Sequence, residues 1–351
     1  MDHLRKDEAH WDDVAGVWQR VSLEVPTGTT TDVASAVWWI QSGRSATPGP
    51  RLFADIRIPH RPPAQAAGGR GSSVSIPDIL RQRASAGVLE CVPLDPAAPL
   101  PPTTATPPTP VARCTWHCHL DYHPPSDDPD TGLAGFVDQL TMIETGVYSD
   151  YREIWIRRDE GHEQVTMELI EERPPSTPAH PEPAARPRRG VWVVSGRYFA
   201  QVVDRYVREE GSIGHRISTT PSPSLGDLLG HTWNLPEHQQ RSAALLFVSC
   251  FGVIENDGDG EVWWVHKSTD PALEGTVLFA TGGAATRRLE PIIIIASEPS
   301  HSRRSAATRL RETLPDGTTR LWAIHANTFQ RDLFPASAAA APHGAAHAAR
   351  L

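Results

Sequence analysis

The stretch AVWWIQSG (36–43), followed after a Pro- and Gly-bearing break by RLFADIRIP (51–59), decides the fold class. Both segments are short, rich in Val, Ile and aromatic residues, and bounded by Gly or Pro, which is strand composition. A period of two sorts the second segment: Leu52, Ala54, Ile56 and Ile58 share one face, and Phe53, Asp55 and Arg57 share the other. Working outward, the same signature recurs in GVWQRVSLEV (16–25), RCTWHCHLDY (113–122), DQLTMIETG (138–146), YREIWIRRD (151–159) and EQVTMELIEE (163–172). It continues in GVWVVSGRYF (190–199), ALLFVSCFGVIEN (244–256), EVWWVHKS (261–268), EPIIIIASE (290–298) and TRLWAIHA (319–326). The segment NDGDG (256–260) has hairpin turn chemistry and lacks the spacing of a calcium loop.

Helical periodicity is convincing only in SIPDILRQRASAG (75–87), where Ser75 caps, Pro77 suits the first turn and Gly87 the exit, with a second short helix expected at SLGDLLG (224–230). Strands that are not interleaved with long helices exclude a doubly wound α/β fold. The sequence therefore predicts an all-β, antiparallel, lipocalin-like (calycin-type) barrel with one or two short helices. Either one large barrel runs from about residue 14 to 335, or two adjoining barrels meet near residues 208–220. The expected organisation is a polar leader (1–13), a barrel (14–210), further strands that complete it or form a second barrel (211–335), and a disordered Ala-rich tail (336–351). Proline is concentrated, with eight residues in 93–110 and six in 174–187, so these stretches read as solvated insertions.

Composition narrows the function. With 33 Lys+Arg against 42 Asp+Glu the formal net charge is −9, so no basic field is available to collect nucleic acid or anionic lipid. No apolar run approaches the roughly 20 residues of a membrane helix, and MDHLRKDEAHWDD at the start has no apolar signal core. Four cysteines, Cys91, Cys114, Cys118 and Cys250, are too scattered for a disulfide framework, and a cytoplasmic location is expected. Only two lysines, Lys6 and Lys267, stand against 31 arginines, which confines Schiff-base chemistry to Lys267.

The strings VWWIQSG, LFADIRIP, YREIWIRRD and VWVVSGRYF resemble the strand series of the fungal Hri-type proteins, lipocalin-like barrels that interact with casein kinase. They also resemble bacterial and fungal barrel proteins that carry a W-Q … D-I-R-I-P strand pair. The similarity covers roughly residues 15–210, with a weaker echo in EVWWVHKSTDPALEGTVLF (261–279). It implies a calycin-type barrel and supplies no catalytic residues. Through the kinase-binding members it implies a second class of function, a protein-interaction module that docks through the proline-rich insertions.

Strand parity supplies the candidate site. Tyr151, Glu153, Trp155 and Arg157 share a face, and on GVWVVSGRYF Ser195 and Arg197 share one opposite Trp192. If the Leu/Ile face of 51–59 packs on a core, Asp55 and Arg57 form a solvated ion pair; if they point into a barrel, they orient a ligand. The second arrangement predicts a lumen lined by Asp55, Arg57, Glu153 and Arg197, with Trp38 or Trp39, Trp155 and Trp264 against the ligand. Its occupant would be an apolar or aromatic small molecule bearing a polar group. Asp55, Arg57, Glu153 and His119 are the candidate catalytic residues. No phosphate loop, nucleophile elbow or dinucleotide fingerprint occurs, so any reaction is expected to be cofactor-free acid–base work: an isomerase, a cyclase or a dehydratase of the lyase class. CTWHCHLDYH (114–123) offers a metal-dependent alternative, with Thr115, His117, His119 and Asp121 alternating onto one face. On an extended strand i to i+4 spans about 13 Å, so His117 and Asp121 cannot share one ion, and a metal-free barrel is expected.

Overall fold

The computed structural model describes residues 14–31, 35–43, 51–60, 75–95, 108–123, 130–160, 163–173, 188–204, 247–256, 260–280, 287–293 and 308–327. The leader, most of both proline-rich stretches, the helix expected at 224–230 and the Ala-rich tail lie outside the described residues.

Eight strands follow one another antiparallel: β1 (Gly16–Val25), β3 (Ser35–Gln41), β4 (Leu52–Pro59), β5 (Arg83–Pro93), β6 (Ala112–Asp121), β7 (Asp130–Phe136), β8 (Thr141–Gly146) and β9 (Arg152–Asp159). β9 returns to pair with β1, and this seam closes the sheet into a barrel. A short strand, β2 (Gly28–Thr31), forms a hairpin on the second half of β1. The second sheet holds β10 (Gln164–Arg173), β11 (Gly190–Ser195), β12 (Tyr198–Val203), β13 (Val248–Asn256) and β14 (Glu261–Ser268). Its other members are β15 (Val277–Ala280), β16 (Arg288–Ile293), β17 (Thr308–Thr313) and β18 (Thr319–Asn327). Their order, β15-β14-β13-β12-β11-β10-β18-β17-β16, makes a half-barrel. The all-β antiparallel barrel expected from the sequence is thus the fold observed, with two adjoining sheets. The change of sheet falls at residues 160–163, between β9 and β10, and not near 208–220.

Two local expectations need correction. The helix α1 spans only Ile76–Arg81; Ser75 caps it by accepting from the Asp78 amide at 3.3 Å, but Arg83 onward is β5. From Arg83 the chain pairs with β4, Ala84 opposite Ile56 and Ala86 opposite Ala54, so tertiary pairing overrides the helix propensity of the alanines and Gly87 serves the strand. GVWVVSGRYF is two strands, because Gly196 adopts φ 54° and turns the chain between Ser195 and Tyr198.

The two sheets repeat one strand plan. Trp18 pairs with Trp39 in the barrel, and Met167 pairs with Trp192 in the second sheet. From that register, irregularities between Val17 and Trp18 and between Arg20 and Ser22 of β1 recur between Thr166 and Met167 and between Leu169 and Glu171 of β10. Phe53 opposes Gly87 as Phe199 opposes Gly252, and a bulge sits beside each glycine. Each glycine lets the neighbouring strand approach: a Cβ on Gly87 would meet the His117 carbonyl oxygen at 2.0 Å, and one on Gly252 the Trp264 carbonyl oxygen at 2.0 Å. Counting along the ladders sets Trp116 beside Trp263, Trp155 beside Trp322 and Glu144 beside Glu312 as equivalent positions. β15 and β16 together take the place of the single strand β7, with Gly132 and Arg287 equivalent.

The lobes pack through equivalent faces. Ile40, Leu52, Ala54, Ile56 and Ile58 on the outside of the barrel meet Val191, Val193, Tyr198, Ala200 and Val202 of the second sheet. Trp38 stacks between them on Phe251, with ring centroids 4.3 Å apart. Burial of one large apolar side chain contributes roughly 1.5–3 kcal/mol, so this shared core holds the lobes together. Among the described residues, no helix is long and apolar enough to cross a membrane.

Candidate functional site

Barrel curvature and strand parity aim alternate residues of every strand at the lumen. One end is plugged. Trp18 stacks on Trp39 at 6.3 Å, Trp155 and Trp116 each meet Trp39 edge-on at 5.8 Å, and Phe53, Val37 and Met142 fill between them. The other end is an open cup of about 820 Å³, within the usual range for a small-molecule site. Its wall carries Arg20, Asp55, Arg57, Asp130, Tyr151 and Glu153.

The charged groups of the wall are wired together. Arg57 grips Asp55 Oδ2 through Nε at 2.9 Å and Nη2 at 2.6 Å, and its Nη1 lies 3.5 Å from Glu153 Oε1. Arg20, two residues beyond Trp18 and on the same inward face of β1, donates to the same Glu153 oxygen. Burial works against the Arg57 charge, but Asp55 and Glu153 more than offset it and hold the guanidinium ionised. Below them, Tyr151 donates from its hydroxyl to Glu144 Oε1 at 2.7 Å. Burial, reinforced by Glu153 and Asp130, holds the Glu144 carboxyl well above the ordinary range. Burial also raises Asp130, against the pull of Arg57. Burial, with Asp121 and Asp130 close by, pushes the Cys118 thiol up to about 12, which removes it as a thiolate nucleophile at neutral pH. Asp55, Glu144 and the indoles of Trp39 and Trp155 border a small void of about 10 Å³ at the cup floor. There Asp55 Oδ1, Trp39 Nε1 and Trp155 Nε1 are buried without a hydrogen-bond partner.

The structure brings Asp55, Arg57, Glu153, Trp39 and Trp155 together, as the sequence proposed. It also shows why the solvated alternative for Asp55 and Arg57 failed: the Leu/Ile face of β4 is covered by the second sheet while the charged face lines the lumen, so both faces are buried. The other candidates lie elsewhere. Trp38 is in the core between the lobes. Arg197 sits on the β11–β12 turn with its guanidinium 5.3 Å from the Tyr198 ring centroid. Of the adjacent tryptophans on β14, Trp263 is the buried one and Trp264 takes the opposite face. His119 is exposed, because the bulge in β6 leaves it unpaired between Cys118 and Leu120. The same bulge turns Asp121 to the cup, so His119 and Asp121 do not share a face, and His117 instead reaches Glu90 Oε2 at 3.2 Å. Among the described residues, no group of three or more His, Cys, Asp or Glu side chains is arranged to hold a metal ion.

Arg20, Asp130, Glu144 and Tyr151 were missed as site residues. For two of them the signal is the repeat: Trp39-Ile40-Gln41-Ser42-Gly43-Arg44 matches Trp192-Val193-Val194-Ser195-Gly196-Arg197, and Phe53-Ala54-Asp55-Ile56 matches Phe199-Ala200-Gln201-Val202. Aligning the halves would have marked Arg20 and Asp130, which stand where the other half carries Leu169 and Phe279, but not Glu144, whose equivalent is Glu312. Fold and cup together define a two-lobed antiparallel β-barrel protein with a charged, tryptophan-floored lumen. Against protein-family models, curated proteins and solved structures, the chain finds no match.

Proposed function

We propose that the closed barrel is a small-molecule site, taking an aromatic or otherwise apolar molecule that bears a polar group. The observation that supports it best is the floor of the cup, where two indole N–H groups and one carboxylate oxygen are buried without partners beneath 820 Å³ of open space. A buried polar group without a partner costs roughly 1–3 kcal/mol, a penalty that a ligand with matching groups relieves. Trp116 and Trp39 offer ring faces or edges to the apolar part, and the Arg57–Asp55 and Arg20–Glu153 pairs fix the polar part. The same wall suits cofactor-free acid–base chemistry. Burial and the neighbouring Glu153 and Asp130 raise the Glu144 carboxyl well above the ordinary range, and acids and bases pushed apart by their surroundings are what isomerisation, cyclisation or dehydration requires.

A metabolite library read by tryptophan fluorescence tests this, since four of the eleven tryptophans, Trp18, Trp39, Trp116 and Trp155, cluster at or below the cup. Quenching or a blue shift by at least one compound is expected. Arg57→Lys, which keeps the charge but loses the planar fork on Asp55, should weaken that compound at least tenfold with an unchanged circular dichroism spectrum. Silence across the library, or binding indifferent to Arg57→Lys, would remove the proposal.

A further inference from the structure

The second sheet shows what fills this position when the protein supplies the occupant itself. Arg287 reaches across the half-barrel and donates through Nη1 to Glu312 Oε1 at 2.7 Å and to Gln201 Oε1 at 3.1 Å. Glu312 is the equivalent of Glu144, and Gln201 the equivalent of Asp55. In the barrel the place of Arg287 is taken by Gly132, and Glu144 lies over it: a Cβ there would meet Glu144 Cγ and Oε1 at 2.8 Å. The two acceptors bridged by a guanidinium in one lobe thus stand unbridged in the other, where Arg57 holds Asp55 through Oδ2 alone and makes no hydrogen bond to Glu144. Asp55 Oδ1 has no partner, Glu144 has a tyrosine hydroxyl in place of a cation, and both border one void below an open cup. The indoles agree. Trp322 donates from Nε1 to Glu312 Oε2 at 2.9 Å, whereas the N–H of its equivalent Trp155, 2% exposed, is unpartnered.

We infer that the barrel binds a ligand carrying a planar guanidinium or amidinium group, which presents its N–H groups from the cup to Asp55 and Glu144, as Arg287 does to Gln201 and Glu312 in the second sheet. This rests on the small-molecule reading of the cup and names the chemistry of its ligand. Charge supports the assignment: the side chains that border the cup and its floor include six carboxyl groups against three guanidinium groups. A planar fork suits two acceptors on facing strands better than a point charge does. The floor void holds about one water, so only the N–H tips reach it, and the body of the ligand lies in the cup against Trp116.

The probes are benzamidinium, neutral benzamide and anionic benzoate, which share one ring and differ in the head group. Titrated calorimetrically into the full chain, benzamidinium should bind at least tenfold more tightly than either isostere. Asp55→Asn and Glu144→Gln should each remove at least tenfold of that affinity. Gly132→Arg, which copies the second sheet, should abolish binding; because that variant risks misfolding, Arg287→Ala gives the converse test. Its second sheet should regain thermal stability in millimolar methylguanidinium, by several degrees more than the unmodified protein gains. Equal or tighter binding of benzoate or benzamide, or indifference to both neutralising substitutions, overturns the inference. A library compound that binds the cup without any cationic group overturns it while leaving the small-molecule reading intact. A library in which nothing binds removes both.

Discussion

Glu144 of the barrel and Glu312 of the second sheet occupy equivalent places on β8 and β17, but their neighbours are opposite in kind. Glu312 accepts from Arg287 and from the Trp322 indole, and Arg320 lies 3.6 Å away. Burial alone would raise its pKa, yet Arg320 and Arg287 more than offset that and hold it below the ordinary value. Glu144 has Tyr151, Glu153 and Asp130 around it and is raised instead. Around Glu312 the lumen is completed by Phe279 and Val203, which replace Asp130 and Arg57. A single strand plan thus yields one self-satisfied core and one open charged cup, and the exchange of Gly132 for Arg287 accounts for much of the difference. The lesson is that one strand plan accommodates either solution beside a cluster of tryptophans.

The largest effect that separates the two lobes is expected from neutralising each carboxyl. Glu312→Gln leaves the guanidinium of Arg287 buried without its counter-ion, while Arg320 keeps Glu172 at 3.1 Å; breaking a buried pair in this way typically costs about 3–5 kcal/mol. Glu144→Gln replaces a carboxyl whose pKa burial raises well above the ordinary range, so at a pH below the ordinary glutamate pKa, where its proton is bound, it should change stability by less than about 1 kcal/mol. Urea denaturation midpoints measure both, and equal losses would mean that the two sites are not the opposites described.

The pH dependence of stability should carry opposite signs. Glu144 has its folded pKa above the unfolded value, so the folded state binds the extra proton. Its contribution is present below the ordinary glutamate pKa and is lost as pH rises through the folded value, about 1.4 kcal/mol for each unit of difference. Glu312 has its folded pKa below the unfolded value, so its contribution is present above the ordinary range and lost as pH falls through the folded value. Glu144→Gln should therefore flatten the alkaline side of a stability–pH curve and Glu312→Gln the acid side. An alkaline side unchanged by Glu144→Gln would break the comparison.

Much of this was legible in the chain, residue by residue, for physical reasons. Period-two alternation put Asp55 and Arg57 on one face of β4 and Glu153 and Trp155 on one face of β9, and the barrel turned both inward. What alternation cannot show is a strand buried on both sides, so Trp38 and Trp39 could not be told apart until the second sheet covered one of them. Alternation also breaks at bulges, and the one in β6 sent His119 outward and Asp121 inward. The tight turn at Gly196 was hidden in a run with uniform strand composition, which carried Arg197 into the wrong environment. Glu144 became a site residue only through cross-strand register with Glu153 and proximity to Gly132, relations between segments that no single segment contains.

The smallest effect isolates one hydrogen bond. Trp155 and Trp322 are equivalent, 2% and 0% exposed, and each is packed among other indoles. Replacing either by Phe removes similar volume from a similar plug, so the cavity cost is common to both and largely cancels in the difference. What remains is the N–H. That of Trp322 donates to an ionised carboxylate at 2.9 Å, a bond of the kind that contributes about 1.5–3 kcal/mol, while that of Trp155 has no partner to lose. Trp322→Phe should therefore destabilise by more than Trp155→Phe by about that amount in paired urea titrations near neutral pH. The gap should close in the Glu312→Gln background, where the bond is no longer made to a charge, and should widen no further at higher pH. If the two single variants lose the same stability, the indole N–H of Trp155 is satisfied as well as that of Trp322, and the floor of the cup offers no unmet donor to a ligand.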